Sequence, residues 1–426
     1  MQMNLFLKED LLQYIWQHQY FNRQDLCSCE GEPIRIIHPG TWNRNQGPDF
    51  LNARIQIADN VWAGNVELHV RSSDWDRHGH GSDAHYGPVV LHVVWEADRV
   101  INSIPVLELN GRVPGQLLER YAKLMNRTRF VPCEDLLTPL PPLIWSAWRE
   151  RLITGRLLRR NADVELRLQQ TEYNWEEICW QMIARNFGIR LNADVFEDIA
   201  KSLPLSKLRR YRHDQERLEA LLLGQAGMLE QPFSEEYPLR LQQHYQILAK
   251  GMKLKPVASK LLFLRMRPAN FPGIRLAQLS VLLAARDNLF EAFCAATSVD
   301  ELRQMLWVTA REYWNNHFRI GEPARFQPKQ VGRMLADNIV LNTAVPLVFA
   351  YAQYRKDEPL LEKALNWLQQ IPAESNHIIQ SFQKQGLPTE TAADSQALLE
   401  LKRHYCEQHR CLDCSIGNFL LNRPRQ

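Results

Sequence analysis

Residues 47–69, GPDFLNARIQIADNVWAGNVELH, consist of two strand-like apolar stretches separated by a short polar turn. Three ionisable side chains interrupt them where a plain hairpin needs none: Asp49 at the entry, Glu67 and His69 at the exit. Register decides whether those three meet, because a slip of one residue sends a whole strand's side chains to the other face. A three-residue loop of Ala58, Asp59 and Asn60, with Asn60 in the left-handed conformation that Asn tolerates, pairs Ile57 with Val61 and Asp49 with His69. Asp49, Glu67 and His69 then share one face with Leu51, Ile55, Ile57 and Val61. A two-residue loop of Asp59 and Asn60 puts Asp49 on the opposite face instead. Opposed side chains in such a pair lie about 5 Å apart at Cβ, within reach of one hard cation.

Around this hairpin the pattern is that of an α/β unit. Leu7, Leu11, Leu12, Ile15 and Trp16 recur at helical spacing over residues 5–20. Glu9 lies near the start of that helix, where the dipole favours an acid and where it could also serve as an accessory metal ligand. Ile34–His38 reads as a short strand closed by Pro39-Gly40, and residues 72–86 as a polar loop with at most a brief helix. Residues 89–95, VVLHVVW, have the unbroken apolar character of a strand buried on both faces. A further strand follows over 104–109, and a helix over 115–126.

Beyond a stiff connector carrying Pro132, Pro139, Pro141 and Pro142, the apolar period changes from two to between three and four. Trp145, Trp148, Leu152, Leu157 and Leu158 begin a run of helices. These fall at about 143–168, 173–187, 192–203, 213–224, 237–252, 274–287, 299–308, 331–353, 358–370 and 391–405. The chain thus divides into an α/β domain over 1–130, a connector over 131–143, a larger all-α domain over 144–405 and a cysteine-bearing segment over 406–426.

With 426 residues, 45% of them hydrophobic and 23% charged, the chain has ample length for real cores. A net charge of +3 permits a nucleic-acid partner without demanding one. Lys8, Glu9 and Asp10 fall where a secretory signal would need an apolar core, and no apolar run approaches the length of a membrane span, so a cytoplasmic location is expected. Its eight cysteines are then thiols, metal ligands or small buried groups rather than disulfides.

Two carboxylates on a hairpin beside a base are what metal-dependent phosphodiester cleavage needs: the acids hold Mg²⁺ or Mn²⁺, and the base orients the attacking water. On Pro48-Asp49 and Glu67-Leu68-His69, with a helix before the hairpin and a buried strand after it, the first 110 or so residues resemble the PD-(D/E)xK, or restriction-endonuclease-like, superfamily. That resemblance implies an αβββαβ core, Asp49 and Glu67 as ligands with the Leu68 carbonyl as a third oxygen, His69 as the water-orienting base, and DNA as substrate. His69 stands where that superfamily most often has Lys, which removes a fixed positive charge from beside the phosphate. Across nearly the full length, the stretches GPDFLNARI, GNVELHV, HYGPVVLHVVWE, RPANFPGIRLAQL and YCEQHRCLDCSIGNFLL resemble an uncharacterised bacterial family of unknown function.

Cys406, Cys411 and Cys414 form a second constellation. The C-x-x-C pair suits one thiophilic centre, and Cys406 ends the preceding helix within reach. A fourth ligand must come from elsewhere: Cys133 at the domain junction is the choice, with His404, His409, Cys27 and Cys29 as rivals. Four thiolates suit zinc and iron-sulfur equally. The nuclease resemblance favours a structural iron-sulfur cluster that clamps distant segments.

His78, His80, His85 and His92 make the densest histidine region but lack the spacing of a zinc hydrolase; His92 reads as core, and His85 could line the cleft. Arg149, Arg151, Arg156, Arg159 and Arg160, then Arg209, Arg210 and Arg212, bunch on helical segments. Arg149, Arg156 and Arg160 share a face that could track phosphates, though interleaved acids fit a solvated surface equally well. The favoured function is a metal-dependent DNA nuclease, or DNA-structure recognition by a weakened form of its site. The alternative is a non-catalytic scaffold with a structural metal centre, whose helical domain binds a protein partner.

Overall fold

The computed structural model describes residues 8–43, 45–79, 83–126, 129–137, 140–263 and 267–422; Leu7, His80 and Pro139 lie outside the described residues. The chain forms two compact units, one of Met1–Trp148 together with Leu401–Gln426, the other of Arg149–Glu400. The cysteine-bearing tail therefore belongs to the first unit.

That unit is built on a six-stranded mixed sheet. In chain order its elements are α1 (Glu9–His18), β1 (Ile34–His38), β2 (Thr41–Trp42), β3 (Phe50–Ile57), β4 (Asn60–Arg71), α2 (Asp74–Arg77), β5 (Val89–Glu96), β6 (Val106–Glu108) and α3 (Gly115–Met125). The sheet order is β1-β3-β4-β5-β6, with β2 also pairing β3. Pairs β1/β3 and β3/β4 are antiparallel, whereas β4/β5 and β5/β6 are parallel. Leu11, Leu12, Ile15 and Trp16 of α1 pack with Phe50, Ala53, Ile55 and Ile57 of β3, Val66 and Leu68 of β4, and Leu91, Val93 and Trp95 of β5 in one core. Alternation along β4 and β5 sends Glu67, His69 and His92 to the other face, where Trp75, Val94, Ile101, Ile104 and Val106 form a smaller cluster. Gly64 is needed where β5 begins alongside β4: a Cβ there would lie 2.4 Å from Val90 Cγ1 and 2.5 Å from the Pro88 carbonyl.

The hairpin register differs from the expected one. Ile57 pairs with Asn60, so the loop is Ala58 and Asp59; Ala58, not Asn60, takes the positive φ (49°) and donates its N–H to the Pro33 carbonyl. Alone, this register would point Asp49 away from Glu67. A bulge reverses that: two residues of β3, Leu51 and Asn52, face only Asn65, with Asn52 at φ 58° and its N–H donated to Asn65 Oδ1. Phe50 then pairs with Val66, which sets Asp49 opposite Glu67 rather than His69. The apolar partners also change. Ile55 and Ile57 lie in the main core on the face away from the acids, and Val61 is exposed.

Among the described residues, the regular structure of the second unit is helical apart from a short β-hairpin at His317–Arg319 and Glu322–Pro323 and two isolated β-bridges, Thr309 with Gln330 and Pro372 with Thr391. Its opening helix, α4, spans Pro142–Gln170, and further helices include Trp175–Phe187, Ile189–Ser202, Gln215–Gln225, Glu236–Met252, Pro272–Ala285, Val299–Leu306, Glu358–Gln370 and Ala392–Leu401. Helices at Leu289–Ala295 and His377–Lys384 are present in addition to those expected from the sequence. Trp180 and Phe187 are core residues.

Arg333–Arg355 is, contrary to expectation, a helical run long and apolar enough to cross a membrane by length and composition, but 67% of its most apolar window is buried inside the protein. Within it, Val340–Ala344 forms a π turn just ahead of Pro346. On the α4 face that could track phosphates or face solvent, Arg149 and Arg160 are engaged within the protein. Arg149 pairs with Asp394 at 2.9 Å, Arg159 with Glu400, and Arg160 reaches Asn342 Oδ1 at 3.3 Å; further along, Arg212 pairs with Asp287. Arg149 and Arg159 join α4 to the Ala392–Leu401 helix, and Arg212 and Asp287 join two interhelical segments.

Candidate metal and active site

Asp49 and Glu67 are held together by the backbone. The Asp49 N–H donates to Glu67 Oε2 at 3.0 Å, and the Leu68 N–H donates to Asp49 Oδ2 at 3.0 Å. From α1, Gln13 Nε2 donates to Asp49 Oδ1 at 2.7 Å. The sequence reading did not find Gln13, since nothing local connects a helix glutamine with a strand acid thirty-six positions on. Glu67 is only 5% exposed and Asp49 half-buried.

Burial raises both acids. Asp49 is pushed up to about 7, although the Leu68 N–H and Gln13 oppose the rise. Glu67 is pushed up to about 8 by burial and then by the charge of Asp49. Burial also raises Glu9, against the pull of His78. A pair of buried carboxylates that resist joint ionisation is suited to a cation, which removes that resistance. Nearby, Tyr86 is pushed up to about 12 by burial and by these same two acids.

His69, 1% exposed, stands beside the pair with Nε2 3.7 Å from Glu67 Oε1. Its ring is gripped from both sides. Nδ1 lies 2.9 Å from His92 Nε2, and Nε2 lies 3.2 Å from His78 Nδ1. His92 in turn rests on Trp75, with ring centroids 5.1 Å apart. His92 is therefore a core residue, as expected, but one that orients His69. His85, expected to line the cleft, is exposed and bonds Asp83 at 2.8 Å. His78 takes the neighbouring place instead, because the turn after α2 carries it back over β4. Glu9, from the first turn of α1, completes a group in which its carboxylate and the ring nitrogens of His69 and His78 all lie within 4.8 Å of one another.

The cysteines form a separate group in the same unit. Cys406 ends a π turn over Lys402–Cys406, and Cys414 immediately precedes the helix Ser415–Asn422. The N–H groups of Ile416 and Gly417 and the side chain of Trp148 point to the Cys414 sulfur. Gly417 has no substitute there: a Cβ would meet the Cys411 carbonyl at 2.0 Å. Cys133 joins Cys406, Cys411 and Cys414. Burial, and after it the charges of Cys414 and Cys411, drive the Cys133 thiol upward. Cys406 is raised in the same way by burial and by Cys414, Cys133 and Cys411. Cys411 is pushed to about 12 and Cys414 to about 11, burial leading in both. Three buried thiols and the half-buried Cys133, which oppose one another's ionisation, one of them already receiving two amides, have the donor chemistry of a thiophilic centre. Of the rival ligands, Cys27, Cys29 and His409 are exposed. The segment is anchored through Cys411 and Leu421 in the main core, and Arg120 donates to the Leu421 carbonyl at 3.2 Å.

No curated protein and no solved structure matches the chain. The family model described as Protein of unknown function (DUF2851) matches residues 9–377, and the chain belongs to that family.

Proposed function

We propose that this protein is a metal-dependent nuclease that hydrolyses phosphodiester bonds of DNA, with Asp49 and Glu67 as the ligands of Mg²⁺ or Mn²⁺. The observation that carries this reading is the convergence of the buried Glu67 and half-buried Asp49 carboxylates, Glu67 fixed by the Asp49 N–H and Asp49 by the Leu68 N–H, beside an imidazole held from both sides. A divalent cation bound there would polarise a phosphoryl oxygen. The chain's own groups do the rest. Asp49 and Glu67 are positioned before any ligand arrives, so little reorganisation is left to the reaction. The Leu68 N–H donates to Asp49 Oδ2, and the Leu68 carbonyl would offer a third oxygen to the cation. His69 receives or orients a proton at Nε2 while His92 holds Nδ1. The antiparallel β3/β4 hairpin followed by the parallel β5 supports a restriction-endonuclease-like core. Mg²⁺-dependent nicking of plasmid DNA by the full chain should disappear in Asp49→Asn and Glu67→Gln with folding intact; undiminished nicking in either variant removes this site from the reaction.

A weakened site that recognises a DNA structure without cutting it is favoured by one observation: buried His69 takes the place of the usual lysine, so the fixed positive charge is missing. The cysteines would then keep the tail closed onto the first unit, holding an iron-sulfur cluster or Zn²⁺.

A further inference from the structure

We propose a second cation site, formed by Glu9, His69 and His78 and selective for a divalent transition metal of the Zn²⁺ type rather than Mg²⁺. Its three donors come from α1, β4 and the turn after α2, and they converge within 4.8 Å of one another. The two imidazole nitrogens, His69 Nε2 and His78 Nδ1, are 3.2 Å apart. Two nitrogens bound at about 2.0–2.1 Å to one tetrahedral Zn²⁺ are separated by roughly 3.3 Å, so this pair already has the required bite.

The outer contact is also in place. A ligating histidine ordinarily donates its other ring N–H to a fixed acceptor, which sets its tautomer. His69 Nδ1 faces His92 Nε2 at 2.9 Å, and His92 is fully buried on Trp75. With the proton on Nδ1, the lone pair of Nε2 points to His78 and Glu9.

Donor type fixes the class of metal. Two imidazoles and one carboxylate suit borderline transition cations, whereas Mg²⁺ prefers oxygen and keeps its waters. Glu67 Oε1, 3.7 Å from His69 Nε2, lies between this group and the Asp49–Glu67 pair, so one carboxylate would serve both cations. The site stands on its own donors and does not require the nuclease reading; Glu67 and His69 link the two, since a His69 Nε2 bound to the second cation would no longer take up a proton.

The test is a Co²⁺ titration of the full chain under anaerobic conditions, read by visible d–d absorption. One equivalent should give the bands of a nitrogen and oxygen site, displaced by Zn²⁺ but not by millimolar Mg²⁺. His78 is exposed and Glu9 partly so, and His78→Ala and Glu9→Gln should each weaken Co²⁺ at least tenfold without changing the melting temperature of the metal-free protein. Cobalt at the cysteines is told apart by its intense sulfur charge-transfer absorption, which neither variant should alter. Unchanged bands and affinity in both variants overturn the proposal, as does displacement by Mg²⁺ as readily as by Zn²⁺. Asp49→Asn separates the two ideas: if nicking survives in it while the cobalt bands remain, the nuclease reading fails and the second site stands.

Discussion

Neutralising one of the paired acids should make the metal-free protein more stable, by an amount that grows as the pH rises above about 4.5. Glu67 titrates normally near 4.5 and is raised by burial and by Asp49 to about 8. A folded-state value above the unfolded one means that the fold keeps its full stability at acid pH and loses it as the pH climbs from about 4.5 through 8. At about 1.4 kcal/mol per pH unit in that window, the loss for Glu67 reaches roughly 4–5 kcal/mol by pH 9. Asp49, itself raised to about 7, also regains its charge more easily once its neighbour is neutral. Glu67→Gln keeps the oxygen that accepts the Asp49 N–H and removes the charge. For a domain of about 150–250 residues, each kcal/mol moves the midpoint by roughly 2–4 °C. Thermal melts in chelator should therefore place the variant roughly 8–20 °C above the parent at pH 9 and level with it at pH 4.5. Excess Mg²⁺ or Mn²⁺ should lift the parent and leave the variant unmoved. A variant no more stable than the parent at pH 9, or equally displaced at both pH values, refutes the argument that these carboxylates are held together against their own repulsion.

Two other perturbations probe the rest of the molecule. Anaerobically purified protein should carry a metal or cluster at the cysteines, with brown visible absorption identifying iron-sulfur; Cys133→Ser, and Gly417→Ala through its clash with the Cys411 carbonyl, should both lower the bound metal by elemental analysis, whereas a parent protein free of metal removes the centre altogether. In the helical unit, Gly224→Ala would drive a methyl to within 2.1 Å of the Tyr245 ring and should cost about 1–3 kcal/mol in urea unfolding of that unit, an unchanged midpoint arguing against the close helix approach.

Much of this arrangement is written in local pattern. The strand-like stretch at 50–57, the unbroken apolar run at 89–95, the change of period after the proline connector, and the spacing of Cys406, Cys411 and Cys414 are properties of neighbouring residues, and each corresponds to an element or turn in the structure. Asp49, Glu67 and His69 could be singled out because a charge in an apolar strand stands out against its neighbours. Their meeting could not be derived correctly. The sequence suggested a three-residue loop, the chain uses two, and a bulge at Asn52 restores the parity that the shorter loop had broken. A bulge depends on cross-strand bonding to Asn65, which no nearest-neighbour pattern encodes.

The same limit explains the other differences. Whether Arg149 and Arg159 face phosphate or protein was settled by Asp394 and Glu400, some 240 positions away, because opposite charges on packed helices find each other before solvent does. Gln13, Glu9 and His78 reached the acidic pair, and Cys133 reached the tail cysteines, through packing of the first unit's core. Residue order fixed the elements and the chemical types available, since backbone preference and apolar period act over a few residues. Tertiary packing alone chose which of those groups face one another, since burial and hydrogen bonding act on whatever the folded chain brings within a few ångströms.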